Sequence, residues 1–391
     1  MNKIALFLIT IYQKTLSPDM IFSPWLKGTI CAHEPHCSQY AKQCFQKYSF
    51  WQALVYSFDR VMTCPSHMIK HDPSSYKVVF FSAPIEVFLR ALHEDPRYDL
   101  AVVTMPDAAR DRQKVKENNI KILAKELLSS DLIHTPKSLR LDSKNKHSAQ
   151  DAKETTDRLE LLDLDYIVVV AYGKLLPASI LDIPSVPINV HGSLLPEYRG
   201  ASPLQSVFLD GKKESVTVML MDTLDTDMLS KLKTPLPLSW TVKNLISWIQ
   251  DKAPAHLLET LREYAKGDIS AKAQDDALSN HCSKITKEQG KVDPYQDSLE
   301  SIYQKYQAYA LWPKTFFEFS HQDKVKHALI EDISLDPALF EQHKQQSLIQ
   351  SSKTADKSQY EVNPAVSSLT IKPQGKKAIT WQEFMSNYLT K

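Results

Sequence analysis

Short runs of β-branched and aromatic residues, set between stretches of helical character, constrain this chain more than any other feature. KVVFF (77–81), DLAVVTM (99–105), YIVVVA (166–171), INV (188–190) and VTVMLM (216–221) are near-continuously apolar. A strand that is apolar on both alternating sides belongs in a parallel sheet covered by helices on each face. A helical stretch around Val87 to His93 separates the first two runs. The alternation predicts a doubly wound parallel α/β sheet, which receives ligands at the carboxyl edge of its strands. The polar segment 142–158 reads as a loop or an exposed helix.

The run INVHGSLLPEYRG, from Ile188 to Gly200, supplies a candidate site at that edge. Asn189 and His191 are alternate residues of one strand, so both project to the same side. The chain then turns at Gly192 into SLLP. An amide keeps one protonation state across pH, and an imidazole can donate a hydrogen bond or carry a proton. Together they suit a reaction in which an oxyanion develops while a proton moves.

INVHGSLLPEYRGASPLQ resembles the signature of the folate-dependent formyltransferases, and within them most closely the methionyl-tRNA formyltransferases. VVVAYGKLLP (168–177), VTVMLMDTLDTDML (216–229) and KPQGKKAITWQEF (372–384) are collinear with it, so the resemblance runs from Lys77 to the C-terminus. It implies a Rossmann-like catalytic domain over 77–266, a linker over 267–282, and a small β-barrel of OB-like type over 283–391 that binds tRNA. By composition the last segment reads only as a small strand-containing domain, with Gln/Ser/Lys-rich 341–362 as a long loop.

The same resemblance implies 10-formyltetrahydrofolate as co-substrate, no metal, and the α-amine of initiator methionyl-tRNA as acceptor. Asn189 and His191 are then catalytic, with Asp225 orienting the imidazole; Asp222 and Asp227 are turn residues. Ser193, Leu194, Leu195 and Pro196 would wall the folate site, with Tyr172 and Gly173 lining the same crevice. The basic loop after the second strand, PDAARDRQKVK (106–116), would meet tRNA phosphates through Arg110, Arg112, Lys114 and Lys116, joined by Arg199. A small amine, such as a ribonucleotide or sugar nucleotide, is the other acceptor class. A catalytically impaired, membrane-associated tRNA-binding scaffold is the non-enzymatic alternative.

Residues 1–73 have a different character. Ile4, Phe7, Leu8, Ile11 and Tyr12 form a helical stripe with Lys3 and Lys14 off it. The apolar run is too short to span a bilayer and has no small-residue cleavage site. Cys31, Cys37-Ser38-Gln39-Tyr40-Ala41 and Thr63-Cys64-Pro65, together with IYQKTLSP near the start, resemble the YidD-type family, implicated in membrane-protein insertion. The segment holds seven Lys and Arg against four Asp and Glu, which favours an anionic lipid surface. A zinc site could be drawn from Cys31, His33, His36, Cys37 and Cys64, but their spacing matches no standard ligand pattern, and structural thiols are expected instead. The chain is thus expected to be a monomeric cytoplasmic protein, peripheral on the inner face of the membrane through its first helix.

The net charge of +1 gives no overall attraction to nucleic acid, so any such contact must be local. Five cysteines, four of them before residue 65, do not make a secreted disulfide framework. Glycine is the outlier: eight in 391 residues, about a third of the usual share. The family's turn reads like MDxGLDTGDM, whereas Met221 to Met228 reads MDTLDTDM, two residues shorter. FFSAP and the basic loop also lack their glycines. Either catalysis is impaired, or glycines were lost in translating a gene that uses a stop codon for glycine. The second explains why the neighbouring residues are intact. The codons between Thr226 and Asp227 test it: directly contiguous codons there would exclude it for this turn.

Overall fold

A computed structural model describes residues 2–15, 37–47, 49–62, 75–83, 85–111, 114–183, 185–211, 216–220, 227–354 and 357–389. The chain folds into two compact units. One holds 1–191, 217–232 and 250–275, the other 192–216, 233–249 and 276–391.

The N-terminal segment forms α1 (Asn2–Thr15), α2 (Cys37–Lys47) and α3 (Phe50–Met62). Cys44, Phe45 and Ala53 are buried, with Ala5, Leu6, Ile9, Tyr40 and Phe50 packed on them. Asn2 Nδ2 donates to the Phe45 carbonyl at 3.0 Å, tying α1 to α2. Because Leu6 and Ile9 turn inward, Phe7 and Leu8 are left exposed on α1. No helix among the described residues is long and apolar enough to cross a membrane. Cys31, His33, His36 and Cys64 lie outside the described residues.

The chain continues through β1 (Tyr76–Ser82), α4 (Glu86–Glu94), β2 (Tyr98–Val103), a ribbon of β3 (Ala108–Asp111) and β4 (Lys114–Lys116), α5 (Asn119–Leu127) and β5 (Ile133–His134). Next come α6 (Lys146–Glu160), β6 (Tyr166–Val170), α7 (Ala178–Leu181), β7 (Val186–His191), β8 (Arg199–Gly200), α8 (Pro203–Leu209), β9 (Val216–Leu220), β10 (Met228–Leu232) and α9 (Val242–Lys266). The main sheet runs β10-β9-β7-β6-β1-β2-β5.

β1 is parallel to β2 and β6, β2 to β5, and β6 to β7. The doubly wound parallel sheet is the one expected, with β9 running antiparallel to β7 towards one edge; such a strand on a parallel sheet is common. Val79, Phe81, Val103, Ile167 and Val169 fill one layer, while Val78, Phe80, Phe88 and Leu89 on the other side are equally buried. The apolar runs therefore form the strands that the alternation predicted. In the polar segment before β6, α6 forms, capped by Asn145 Oδ1 accepting from the His147 and Ser148 amides.

The second unit adds β11 (His281–Cys282), α10 (Leu299–Ala308), β12 (Phe316–His321), β13 (Lys324–Leu335), α11 (Pro337–His343), β14 (Ile349–Thr354), β15 (Lys357–Val362), β16 (Val366–Pro373), β17 (Ile379–Thr380) and α12 (Trp381–Phe384). An antiparallel sheet of order β12-β13-β16-β17 covers a core that includes Ile302, Phe317, Ile330, Ile371, Trp381 and Phe384. Irregularities between Ile330 and Asp332, and between Ser334 and Leu335, bend the long β13.

The stretch 341–362, read from composition as a long loop, instead holds the end of α11 and a hairpin. In that hairpin Ile349 pairs with Val362 and Ser351 with Tyr360. A ladder of backbone bonds needs no apolar stripe along its whole length, which is why composition concealed it. The polar stretch 267–282 is tied in place at two points: Lys272 exchanges backbone bonds with Met228, and β11 pairs with β8.

Candidate active site

Within the first unit, the carboxyl ends of three neighbouring strands carry polar residues. β7 is held on one side by β6, with Val169 opposite Asn189, and on the other by β9, with Met219 opposite Asn189 and Thr217 opposite His191. This two-sided clamp fixes the strand, so Asn189 and His191 present half-buried side chains on one face, roughly 7 Å apart along the chain.

β6 ends in a turn where Ala171 and Gly173 both have positive φ, 48° and 78°. A Cβ placed on Gly173 would meet nothing within 4 Å, so the backbone there faces open space. Tyr172 between them is fully buried, its ring set edge-on to Phe81 at 5.3 Å. Its hydroxyl has no hydrogen-bond partner, and burial pushes its pKa up to about 12. It therefore stays protonated at neutral pH, as a donor.

β1 ends at Ser82, also fully buried, whose Oγ has no partner either. Its carbonyl accepts from Thr104 Oγ1 at 2.7 Å, which fixes the strand end. A buried hydroxyl left unpaired costs stability, and both of these oxygens are closed to solvent. Ser82 is outside the expected site residues; in the sequence it is the polar residue that closes a wholly apolar strand.

The remaining expected residues stand as follows. Asp225 and Arg112 lie outside the described residues. Ser193, Leu194, Leu195 and Pro196 belong to the second unit. There Ser193 is buried and its hydroxyl donates to the Glu197 carbonyl at 2.8 Å, while the Glu197 amide donates to the Leu194 carbonyl at 3.1 Å. The Leu195–Pro196 bond is cis. SLLP is thus a closed turn with its own internal bonds.

Arg110, Lys114 and Lys116 fall on the β3–β4 ribbon, in place of the expected loop. Its base is anchored by Asp107, which pairs with Lys121 at 2.6 Å; that ammonium holds the carboxyl below its ordinary range. Arg199 pairs with Asp276 at 2.8 Å, within the second unit. Among the described residues, no cluster of His, Cys, Asp and Glu could hold a metal ion.

Residues 77–261 match the formyl transferase family model, and residues 284–389 match the model of the formyl transferase C-terminal domain. Residues 1–75 match the YidD model, described as a membrane protein insertion efficiency factor. Among solved structures the chain is similar to WlaRD, a sugar 3N-formyl transferase crystallised with dTDP and 5-N-formyl-THF. That match has 11% identity and a TM-score of 0.50, and covers 78% of this chain and 100% of WlaRD. It is also similar to HypX from Aquifex aeolicus in complex with tetrahydrofolic acid, at 13% identity and a TM-score of 0.47, covering 80% of this chain and 47% of HypX. The chain thus spans about half the length of HypX. A 4-N formyltransferase from Francisella tularensis matches at 11% identity and a TM-score of 0.48, covering 65% of this chain and 96% of that one. At 11% identity, the likeness to WlaRD shows the fold.

Proposed function

The chain belongs to the formyl transferases, with a YidD domain at its N-terminus, and from that premise we propose that it formylates the α-amine of initiator methionyl-tRNA. The observation that carries the reading is the pairing of Asn189 and His191 on one face at the carboxyl end of β7.

The co-substrate in this reading is 10-formyltetrahydrofolate, which supplies an activated formyl group. Ser82 and Tyr172 offer unpaired buried hydroxyls to such a ligand, and the open space before Gly173 leaves room for it. Asn189 donates to the oxygen that gains charge as the amine adds to the formyl carbon; one such donor contributes about 10²–10³ in rate. His191 takes the proton that leaves the attacking nitrogen and returns one to N10 of the folate as the formyl C–N10 bond breaks, a role that adds roughly 10²–10⁴. Asp225 is assigned to orienting the imidazole. The β3–β4 ribbon, with Arg110, Lys114 and Lys116, is a basic element suited to the acceptor stem, and the C-terminal domain is a separate tRNA-binding element in this reading. Arg199, paired to Asp276, is the weakest member of the expected basic set.

The test is transfer of labelled formyl from 10-formyltetrahydrofolate, with methionyl-tRNA and an amino-sugar nucleotide competing as acceptors. Label in the tRNA supports the reading. Label confined to the sugar would replace it with a small-amine transferase.

For the N-terminal domain we propose peripheral contact with the inner face of the membrane. Phe7 and Leu8 on α1, and Trp51, Leu54 and Val55 on α3, are exposed large apolar side chains. Vesicles rich in anionic lipid should float the full chain, and the double change Phe7→Ser and Trp51→Ser should leave it in solution. Flotation unaffected by those changes defeats this placement.

A further inference from the structure

α6 carries along its outer side a row of charge that changes sign from one end to the other. Lys146, Gln150, Lys153, Asp157 and Glu160 recur at spacings of four and three, so they share one side of the helix. All five are exposed, while Ala152, Thr155 and Leu159 are buried. From Lys146 to Glu160 the row runs about 21 Å. Its middle is neutralised internally, since Lys153 Nζ holds both Asp157 oxygens, at 2.7 and 3.0 Å. Its ends are not: neither Lys146 nor Glu160 forms an ion pair among the described residues.

Beside this row lies a groove of about 550 Å³, walled by α6 on one side and by Ser179, Asp182 and Ile183 on the other. Towards the Lys146 end its lining is partly apolar, from Leu141 and Ala149; Leu141 is itself 49% exposed. At the Glu160 end the helix stops at Leu161, whose side chain stands 84% exposed. One leucine in water is ordinary. A leucine that projects from one end of a helix, with an apolar-walled recess at the other end, makes a pair of matching shapes.

A surface that is basic and recessed at one end, acidic and projecting at the other, is complementary to itself under a two-fold rotation about the middle of α6. A small ligand would fill the groove and leave Leu161 in water; only a second copy uses both features. We propose that the chain forms a two-fold dimer through α6, in place of the monomer expected from its sequence. With the two helices antiparallel, each Lys146 meets the second copy's Glu160, and each Leu161 enters the second copy's recess beside Leu141 and Ala149. Near the axis, two Lys153–Asp157 pairs meet, each already neutral. The net charge of +1 leaves little general repulsion between copies. The inference is independent of the acceptor, since none of these residues belongs to the site at the carboxyl edge of the sheet.

The experiment follows the mass of the full chain by light scattering and sedimentation equilibrium over a concentration series, in low and high salt. Wild type should pass from monomer to dimer as concentration rises. Lys146→Glu and Glu160→Lys each turn two attractions into two repulsions, and each should weaken the dimer by about tenfold or more in low salt. High salt should weaken the wild-type dimer and strengthen either reversed one. An equal mixture of the two variants should associate like wild type, because each mixed pair regains both contacts with the charges exchanged. That recovery also shows that both variants are folded. Leu161→Ser should weaken the dimer by about tenfold or more, with its salt dependence unchanged. A wild type that stays monomeric throughout overturns the inference. So does a dimer that survives both reversals, which would use another surface, and so does a mixture that gains nothing over its components.

Discussion

The two principal sheets of this molecule use their polar residues in opposite ways. The main sheet is apolar on both faces, so polar side chains gather where strands end: Ser82, Tyr172, Asn189 and His191. The C-terminal sheet buries one face. Ala328, Ile330 and Ile371 point into its core, while Glu331 and Lys372 alternate outward. An edge can converge a few groups on one reacting atom. A face can only spread charge over an extended partner. Chemistry is therefore expected from the first sheet and acceptor binding from the second, and single changes should separate them.

The largest separation should come from β7. Asn189→Ala and His191→Ala are each expected to lower kcat by about 10²–10³ while tRNA affinity measured by filter retention stays at the wild-type value. Full rates in both variants would defeat the assignment of chemistry to this edge. Gly290→Ala acts on the other sheet. The added methyl would collide with the Lys314 backbone, so denaturant unfolding should show a loss of about 1–3 kcal/mol. Formyl transfer to a small methionyl ester should survive at temperatures where the fold holds.

How much of this contrast was legible beforehand differs between the sheets for a physical reason. A strand buried on both faces writes its location directly into its composition, so KVVFF, YIVVVA and INV gave the strands, and the alternate spacing of Asn189 and His191 gave the face. The antiparallel β9 was not legible, because the same apolar composition suits either direction. Strands such as β14 and β15 were hidden, because Gln, Ser and Lys pair through backbone groups that are common to every residue. The basic residues of 110–116, by contrast, announce themselves by adjacency.

Ser82→Ala offers a finer test. If the unpaired hydroxyl serves the folate, its removal should raise the folate KM by about tenfold, the cost of one hydrogen bond. If it is merely an unsatisfied group, the variant should be at least as stable as wild type and its KM unchanged.

The smallest effect concerns Lys314 alone. Its pKa in the folded protein is lowered by burial and by Lys243, so between that value and the ordinary lysine value the unfolded chain binds more protons than the folded one. Stability should therefore rise with pH through that window, and the penalty should be fully present below it. Lys314→Gln removes the titrating group, so its melting temperature should sit slightly above wild type at pH 7, with the two curves converging towards pH 11. A melting temperature indifferent to the substitution across this pH range would mean that the ammonium is as well solvated in the fold as in the unfolded chain.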